Sequence, residues 1–338
     1  MSATRPGPDL ATGDAAALAA RSAAVAREDE APAPKGRLAR ALDSDLAYSF
    51  RQSPVTIVAA IVVLLMVGAA VLAPLIAPYD PYDPASLNLM DGFTPPAEAN
   101  QFTGNTYLLG TDDQGRDVLS TILYGTRLSL IIGVSAVLLA MLIGVIGGLV
   151  AGYRGGWTET LIMRAADIQL TFPSILVALL IFGIARGLVA PSERDDIAFW
   201  VLILSIGLSE WVQFARVVRG ATLVEKNKEY VAAARLIGRN QWAIMLRHIL
   251  PNVLGPVLVI ATIGLALAII AEATLSFLGV GMPPTQPSLG TLIRIGQDYL
   301  FSGEWWILFF PAVTLLALAL SVNLLGDWLR DALNPRLR

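Results

Sequence analysis

The sequence contains no cysteine and a single histidine, His248. The lack of cysteine excludes disulfides and thiolate-bound metals, and one histidine cannot build a multi-histidine metal cluster. Charge is also scarce, because Asp, Glu, Lys and Arg make up only 15% of the residues, against about 25% in a soluble domain. No exposed segment is rich in both basic and aromatic residues. The composition therefore predicts no metal site, no catalytic cluster and no nucleic-acid partner.

Lysine is nearly absent as well. Lys35, Lys226 and Lys228 are the three in the sequence, and none of them follows a glycine. A phosphate-binding P-loop needs a lysine directly after glycine and before Ser or Thr. The chain is therefore not expected to bind ATP through that motif, and an ATP-driven activity would require another subunit.

Apolar residues make up 55% of the chain and gather in long runs. A helix needs about 20 apolar residues to cross a bilayer. The first run begins at Val55, too late and too long for a signal peptide. We predict an all-α integral membrane protein with six spans, at approximately 55–77, 123–151, 160–185, 197–218, 253–278 and 305–325.

The segments outside the spans differ in composition. Residues 1–45 are rich in Ala, Pro and charge, which predicts a mostly disordered tail. Within the region 46–122, the proline-rich loop after the first span is too long for a simple turn, so we expect it to be folded. Residues 123–326 form the remaining transmembrane domain, and 327–338 form a C-terminal tail.

The basic residues predict the orientation. If the N-terminus is cytoplasmic, segments on that side hold 19 of the 24 Lys and Arg residues. Basic residues concentrate on the cytoplasmic side of membrane proteins, so both termini are expected there. The acidic outer loops fit either a solvated surface or a negative field sensed by a partner or a cationic solute.

The predicted cytoplasmic stretch 225–252, between the fourth and fifth spans, has the pattern of two short amphipathic helices. Small or apolar residues recur in each at i, i+3, i+4 and i+7: Tyr230, Ala233, Ala234 and Ile237, then Trp242, Met245, Leu246 and Ile249. Gly238 is placed to cap the first helix, and Pro251 suits the first turn of the fifth span. The pattern fits a knob that docks into another protein, or two helices lying on the lipid surface.

This stretch resembles the EAA loop of ABC importer permeases, in which two alanines, a glycine and a Leu-Pro pair recur at fixed spacing. The family's usual glutamate falls at Ala232 and its usual isoleucine at His248, whereas the flanking residues resemble the oligopeptide and dipeptide branch. In that family the loop inserts into a cleft on the ATPase. The resemblance implies a coupling loop that includes Glu229, Tyr230, Ala232, Ala233, Ala234, Arg235, Gly238, His248, Leu250 and Pro251. For His248, a lone histidine beside a helix start, we expect a structural or docking role rather than catalysis or metal binding.

Segments 109–117, 271–281 and 326–336 resemble the C-type permease subunit of the same branch. The resemblance implies a type I importer fold in a bacterial inner membrane. It also implies a B-type permease partner, an extracytoplasmic solute-binding protein, and two ATPase subunits or domains that hold ATP and Mg, with no cofactor on this chain. The substrate class it implies is short peptides, although nickel and glutathione importers share the branch.

Three acidic residues lie inside the predicted spans, where a charge is costly and needs a reason: Asp167, Glu210 and Glu272. Asp167 is close enough to the inner end of its span for its side chain to reach the membrane surface. Glu210 and Glu272 fit either a translocation path or gate, or a buried structural bond. An ion-coupled secondary transporter would use such carboxylates as relays, but we find no internal repeat to accompany them. Small residues at every fourth position predict close helix packing, within this chain or against a second subunit; they are Gly144, Gly148 and Gly152.

Overall fold

The computed structural model describes residues 45–83 and 87–332 of the chain. The predicted tail at 1–44 and the final residues 333–338 lie outside this part. Contacts divide the chain into Met1–Gln52 and Ser53–Arg338. In the first unit, helix α1 spans Asp45–Gln52. There Gln52 donates a hydrogen bond from Nε2 to Tyr48 Oη at 2.7 Å.

In the described part of the second unit the regular secondary structure is helical, as the apolar runs predict. Short 3₁₀ turns and two isolated bridges accompany the helices. The helices are α2 Pro54–Val71, α3 Ala73–Ile76, α4 Val118–Arg154, α5 Gly156–Leu170, α6 Ser174–Gly187, α7 Arg194–Glu225, α8 Glu229–Leu236, α9 Gln241–Ile244, α10 Leu250–Phe277, α11 Leu289–Tyr299 and α12 Trp306–Ala332.

Five helical runs among the described residues are long and apolar enough to cross a membrane. They contain α2, α4, α7, α10 and α12. Helices α5 and α6 satisfy the same criterion only when they are taken together, and they are bent by 98°. The predicted third span at 160–185 is therefore not one continuous helix. Pro173 explains the break, since it has no N–H to donate and disfavours helical geometry at Phe172.

Two predicted segments also differ in detail from the helices. The run at 55–77 is interrupted at Leu72, the single residue between the end of α2 at Val71 and the start of α3 at Ala73. Pro74 follows within the first turn of α3, a position that proline tolerates. At the other end, the first residues of the predicted tail 327–338 are helical, because α12 continues through Ala332.

Helices α4 and α7 pack along each other at the glycine positions of α4. At Gly144, Gly148 and Gly152, an added Cβ would lie 2.4 to 2.7 Å from atoms of α7. No side chain fits at such distances, so glycine lets the two helices approach closely. This glycine contact lies within the chain and sets the spacing of the two helices that lead into the loop 225–252.

The polar segment between α3 and α4 is folded, as its length predicts. Asp91 is 1% exposed. Its carboxylate accepts hydrogen bonds from Asn105 Nδ2 at 3.1 Å, from Tyr107 Oη at 3.0 Å and from the Thr103 hydroxyl. These bonds close residues 91–107 around one buried charge.

Two further acidic residues of this segment are internal. Asp112 accepts a bond from Arg116 Nε at 2.6 Å, and Arg116 also donates from Nη1 to the carbonyl oxygen of Pro284 at 2.8 Å. Asp117 caps α4 by accepting from the Ser120 amide at 2.8 Å. For these residues and Asp91, the interpretation of a solvated acidic surface is wrong, since each carboxylate organises the fold.

Candidate coupling surface

The loop 225–252 begins where α7 ends, and a polar network around one buried carboxylate fixes its base. Glu225, only 7% exposed, accepts a hydrogen bond from Tyr230 Oη at 2.6 Å and pairs with Lys228 Nζ at 2.8 Å. From Nδ2, Asn252 donates to Tyr230 Oη at 3.1 Å and to the carbonyl oxygen of His248 at 2.7 Å. The network joins the end of α7, the start of α8 and the start of α10.

The Tyr230 hydroxyl remains a donor at physiological pH. Burial, followed by the neighbouring Glu225 carboxylate, raises the pKa of Tyr230 from 10.0 to about 12. The folded state therefore binds this proton more tightly than the unfolded chain does. The resulting stabilisation is complete below about pH 10 and is lost as the pH rises through 12.

Three side-chain contacts attach the loop to the end of α4. Lys226 donates from Nζ to the carbonyl oxygen of Gly152 at 2.7 Å, which neutralises part of the negative helix end. The other two are cation–π contacts, with Arg235 over the Tyr153 ring at 5.1 Å and Arg154 over the Trp242 ring at 5.5 Å. The loop is therefore tied to α4 as well as to α7 and α10.

Gly238 ends α8 as the sequence predicts. Its φ is +73°, a conformation that glycine adopts without side-chain strain. The Gly238 amide donates to the Arg235 carbonyl at 3.0 Å, and the Arg239 amide donates to the Ala234 carbonyl at 3.1 Å. This pair of bonds is a Schellman motif, which satisfies the last carbonyls of the helix.

Of the four residues on the predicted face of α8, Tyr230, Ala233 and Ile237 are exposed and Ala234 is buried. Val231 and Ala234 are buried against the rest of the chain, at 0% and 4% exposure. Ala232, where the resembling family usually has glutamate, and Ala233 are both exposed. An eight-residue helix with small or apolar residues on several sides has no single preferred face, so tertiary packing selects which side is buried.

The second predicted amphipathic helix is not separate from the fifth span. After the single turn of α9, residues Met245–Ile249 form a π-helical turn that runs directly into α10. Leu250 donates to the Met245 carbonyl five residues back, and Pro251 has no N–H to continue the α pattern. The predicted face is divided: Met245 and Ile249 are buried, whereas Trp242 and Leu246 are exposed. His248 is half-buried next to this turn.

The end of α8 exposes apolar side chains. Leu236 is 90% exposed and Ile237 is 77% exposed; together with Gly238 they form what we call the coupling tip. Large apolar groups exposed on an otherwise anchored loop are typical of a protein-binding surface. Leu236 is not among the residues predicted from the sequence, because it lies outside the i, i+3, i+4 pattern, although an apolar pair just before a capping glycine is a visible signal.

Glu210 lies near the bend between α5 and α6. It is half-buried, accepts a bond from Gln213 Nε2 at 3.2 Å and is hydrogen-bonded to Ser174, the first residue of α6. Gln169, near the end of α5, accepts a bond from Trp211 Nε1 at 2.8 Å and donates to two carbonyls of α7. Polar contacts with α7 therefore hold both sides of the bend.

Glu272 is fully buried in α10 and surrounded by hydroxyl donors. Ser129 of α4 and Ser276 each donate to its carboxylate at 2.7 Å, and Ser288 adds a third bond. Ser129 also accepts the Leu289 amide at 3.3 Å. The partners are side chains rather than the backbone, and the network joins α4, α10 and the start of α11.

We expect Glu272→Ala to destabilise the protein by about 2–3 kcal/mol, because it leaves three buried hydroxyls without their acceptor. Glu272→Gln keeps an acceptor and is expected to cost less than half as much. Thermal unfolding of the purified complex measures both variants. Equal stability of Glu272→Ala and the wild type would contradict a structural role. Loss of transport in a fully stable Glu272→Gln variant would instead indicate a role in gating.

Comparisons with known proteins agree with this architecture. The family described as "Binding-protein-dependent transport system inner membrane component" matches residues 144–338. The family described as "N-terminal TM domain of oligopeptide transport permease C" matches residues 44–96. Together they cover most of the described helices.

Curated relatives cover most of both chains. The di/tripeptide permease protein DppC of Pseudomonas aeruginosa is 38% identical over 81% of this chain and 86% of its own length. The oligopeptide permease protein OppC of Bacillus subtilis is 37% identical over 87% and 90%. The glutathione permease protein GsiD of Pectobacterium atrosepticum is 36% identical over 86% and 89%.

Among solved structures, an inward-facing form of the MetNI methionine ABC transporter has 20% sequence identity and a TM-score of 0.49, covering 63% of this chain and 96% of its own. The family matches and the curated relatives are sufficient to assign the chain. It belongs to the binding-protein-dependent inner membrane components of ABC transporters, as a C-type permease subunit of the oligopeptide and dipeptide branch.

Proposed function

We propose that this chain forms half of the transmembrane path of an importer for short peptides and couples that path to a separate ATPase. The observation that carries the proposal is the anchored loop with its exposed coupling tip, Leu236, Ile237 and Gly238. A partner that binds the tip can displace α4, α7 and α10 together, because the base of the loop is bonded to all three.

The proposed assembly contains a B-type permease subunit, two ATPase subunits or domains, and an extracytoplasmic solute-binding protein. ATP and Mg are held by the ATPases, which carry out hydrolysis. We place both termini and the loop 225–252 in the cytoplasm, in a six-span arrangement where the bent pair α5 and α6 counts as one span. The distribution of Lys and Arg supports this orientation.

In this mechanism, ATP binding closes the two ATPases and draws the coupling loops of the two permeases together. The helix bundles then rock from inward-open to outward-open around a midplane cavity. We assign Glu210 to the path because it is a carboxylate in a membrane-spanning helix that stays partly exposed in this chain. We assign Glu272 to the outer gate, where its serine network holds α4, α10 and α11 in register.

Peptides are the proposed substrates because relatives above 35% identity are named for di-, tri- and oligopeptide transport. Glutathione is the alternative, since a relative of similar identity is named for it; nickel remains a third option within the branch. Identifying the ligand carried by the co-purifying solute-binding protein would decide among them.

The test replaces both apolar side chains of the coupling tip, as Leu236→Asp with Ile237→Asp. Because both are largely exposed, the chain should still insert and fold, whereas the ATPase should no longer co-purify and uptake should fall at least tenfold. The matched control is Leu188→Asp, an 83% exposed leucine at the end of α6, which should retain the ATPase.

An ATPase that binds the double variant normally would contradict the assignment of this surface. Uptake that persists in energised, ATP-depleted vesicles would contradict the ATP-driven mechanism itself and favour an ion-coupled transporter.

A further inference from the structure

A lateral groove of about 460 Å³ lies between α2, α4, α10 and α12. Its walls are mostly apolar and include Val63, Val67 and Val71 of α2 and Leu130, Ile131 and Val134 of α4. The only charged side chain in its lining is Arg127 of α4. A cation beside an apolar groove suits a ligand that is anionic at one end and apolar along the rest.

The depth of Arg127 follows from the sequence of α4. Residues 128–153 contain no Asp, Glu, Lys or Arg, and Arg154 ends the helix. At 1.5 Å per residue, the two arginines are about 40 Å apart along the axis. This distance matches the hydrocarbon core of about 30 Å with a headgroup layer on each side. Arg127 therefore lies at the headgroup level on the side of the 78–117 segment.

Aromatic residues support the same depth. Tyr124 lies one turn from Arg127 in α4, and its ring packs edge-on against Tyr82 with centroids 5.1 Å apart. Tyrosines are enriched at the membrane interface, where the ring meets apolar tails and the hydroxyl meets water. From Arg127 the groove extends eight residues, to Ser135, or about 12 Å. It therefore stays within one leaflet.

Arg127 is an exposed residue, and it forms no ion pair with any residue in the described part of the chain. A second lateral groove, between α4, α5 and α7, has a similar volume of about 520 Å³ but no charged residue in its lining. Of these two grooves, only the first therefore combines apolar walls with a charged side chain.

We propose that the Arg127 groove binds an anionic phospholipid. The phosphate pairs with the Arg127 guanidinium at the headgroup level, and an acyl chain lies between α2 and α4 against the valines of both helices. A phospholipid matches the groove in three ways: its phosphate has the charge opposite to Arg127, its headgroup lies at the same depth as Arg127, and its acyl chain can follow the apolar walls. The bound lipid would fix α2 to the rest of the bundle.

The test uses the assembled transporter in nanodiscs containing equal amounts of phosphatidylglycerol and phosphatidylcholine, with retained lipids counted by native mass spectrometry. The wild type should retain phosphatidylglycerol in preference to phosphatidylcholine. Arg127→Gln should lower that preference about fivefold. Arg164→Gln, which removes an exposed arginine of α5 outside the groove, should leave it unchanged.

A second pair of variants tests the groove itself. Val134→Trp should fill it and release the retained lipid, whereas Ile146→Trp in the uncharged groove should not. Unchanged lipid retention in both Arg127→Gln and Val134→Trp would overturn the proposal. Two other results would also overturn it. If Val134→Trp loses the partner permease, the groove is a helix-docking site. If inorganic phosphate displaces the bound species, the ligand is a free anion.

Discussion

Replacing Gly238 by valine is expected to leave the permease in the membrane but to uncouple transport from ATP hydrolysis, with uptake falling at least tenfold. Gly238 has a φ of +73°, which a β-branched residue adopts only at a cost of about 1–3 kcal/mol. No atom lies within 4 Å of the position that a Cβ would occupy. The strain is therefore confined to the backbone that orients Leu236 and Ile237.

The matched control is Gly238→Asn, because asparagine tolerates the left-handed conformation far better than valine. Both variants are reconstituted with their partner subunits, and peptide uptake is measured alongside ATP hydrolysis. We expect Gly238→Asn to transport and Gly238→Val to hydrolyse ATP without transport. Coupled uptake by Gly238→Val at the wild-type rate would show that the geometry of the coupling tip does not transmit closure.

Replacing Gly148 by alanine is expected to destabilise the packing of α4 against α7. A Cβ there would lie 2.6 Å from the carbonyl oxygen of Ala215 and 2.7 Å from Val218 Cβ. Because a backbone carbonyl in a helix cannot rotate away, α4 and α7 would have to separate. We expect a loss of about 1–3 kcal/mol, the usual cost of overpacking, and a lower yield of assembled complex.

The preceding residue provides the control. An added Cβ at Gly147 would lie 3.7 Å from both Ile162 and Trp211, which is ordinary van der Waals contact. Gly147→Ala should therefore be neutral, or stabilising by up to about 1 kcal/mol through its better helix propensity. Thermal unfolding in detergent compares the two variants. If they have the same melting temperature, the glycine contact does not set the helix spacing.

Much of the helical architecture follows from the sequence because lipid imposes a simple rule. A segment in hydrocarbon must satisfy its own backbone hydrogen bonds, so a long apolar run is a helix. The runs at 123–151 and 197–218 lie inside α4 and α7 for this reason. The 98° bend at Pro173 was not predicted, since hydrophobicity does not show whether a proline kinks a helix or ends it.

The position of the loop 225–252 in the chain was predicted, but which side chains of α8 are buried was not. Gly238 and Pro251 mark local backbone requirements, and the structure places them at the cap of α8 and in the first turn of α10. Which side of α8 meets the bundle could not be predicted, because Val231 and Ala234 compete with other small residues for burial. Long-range contacts such as Lys226 with Gly152 decide that competition.

The sequence by itself determined the class of protein, the helical runs, the loop 225–252 and the resemblance to ABC permeases. These features depend on composition and on residues close together in the chain, whose physics is local. Only the tertiary structure decided that Leu236 and Ile237 are exposed while Ala234 is buried. It alone also showed that serines surround Glu272 and that Arg127 borders an apolar groove. Each of these three features depends on which helices become neighbours. An apolar pattern specifies that one face of a helix is buried, but not which other helix covers that face.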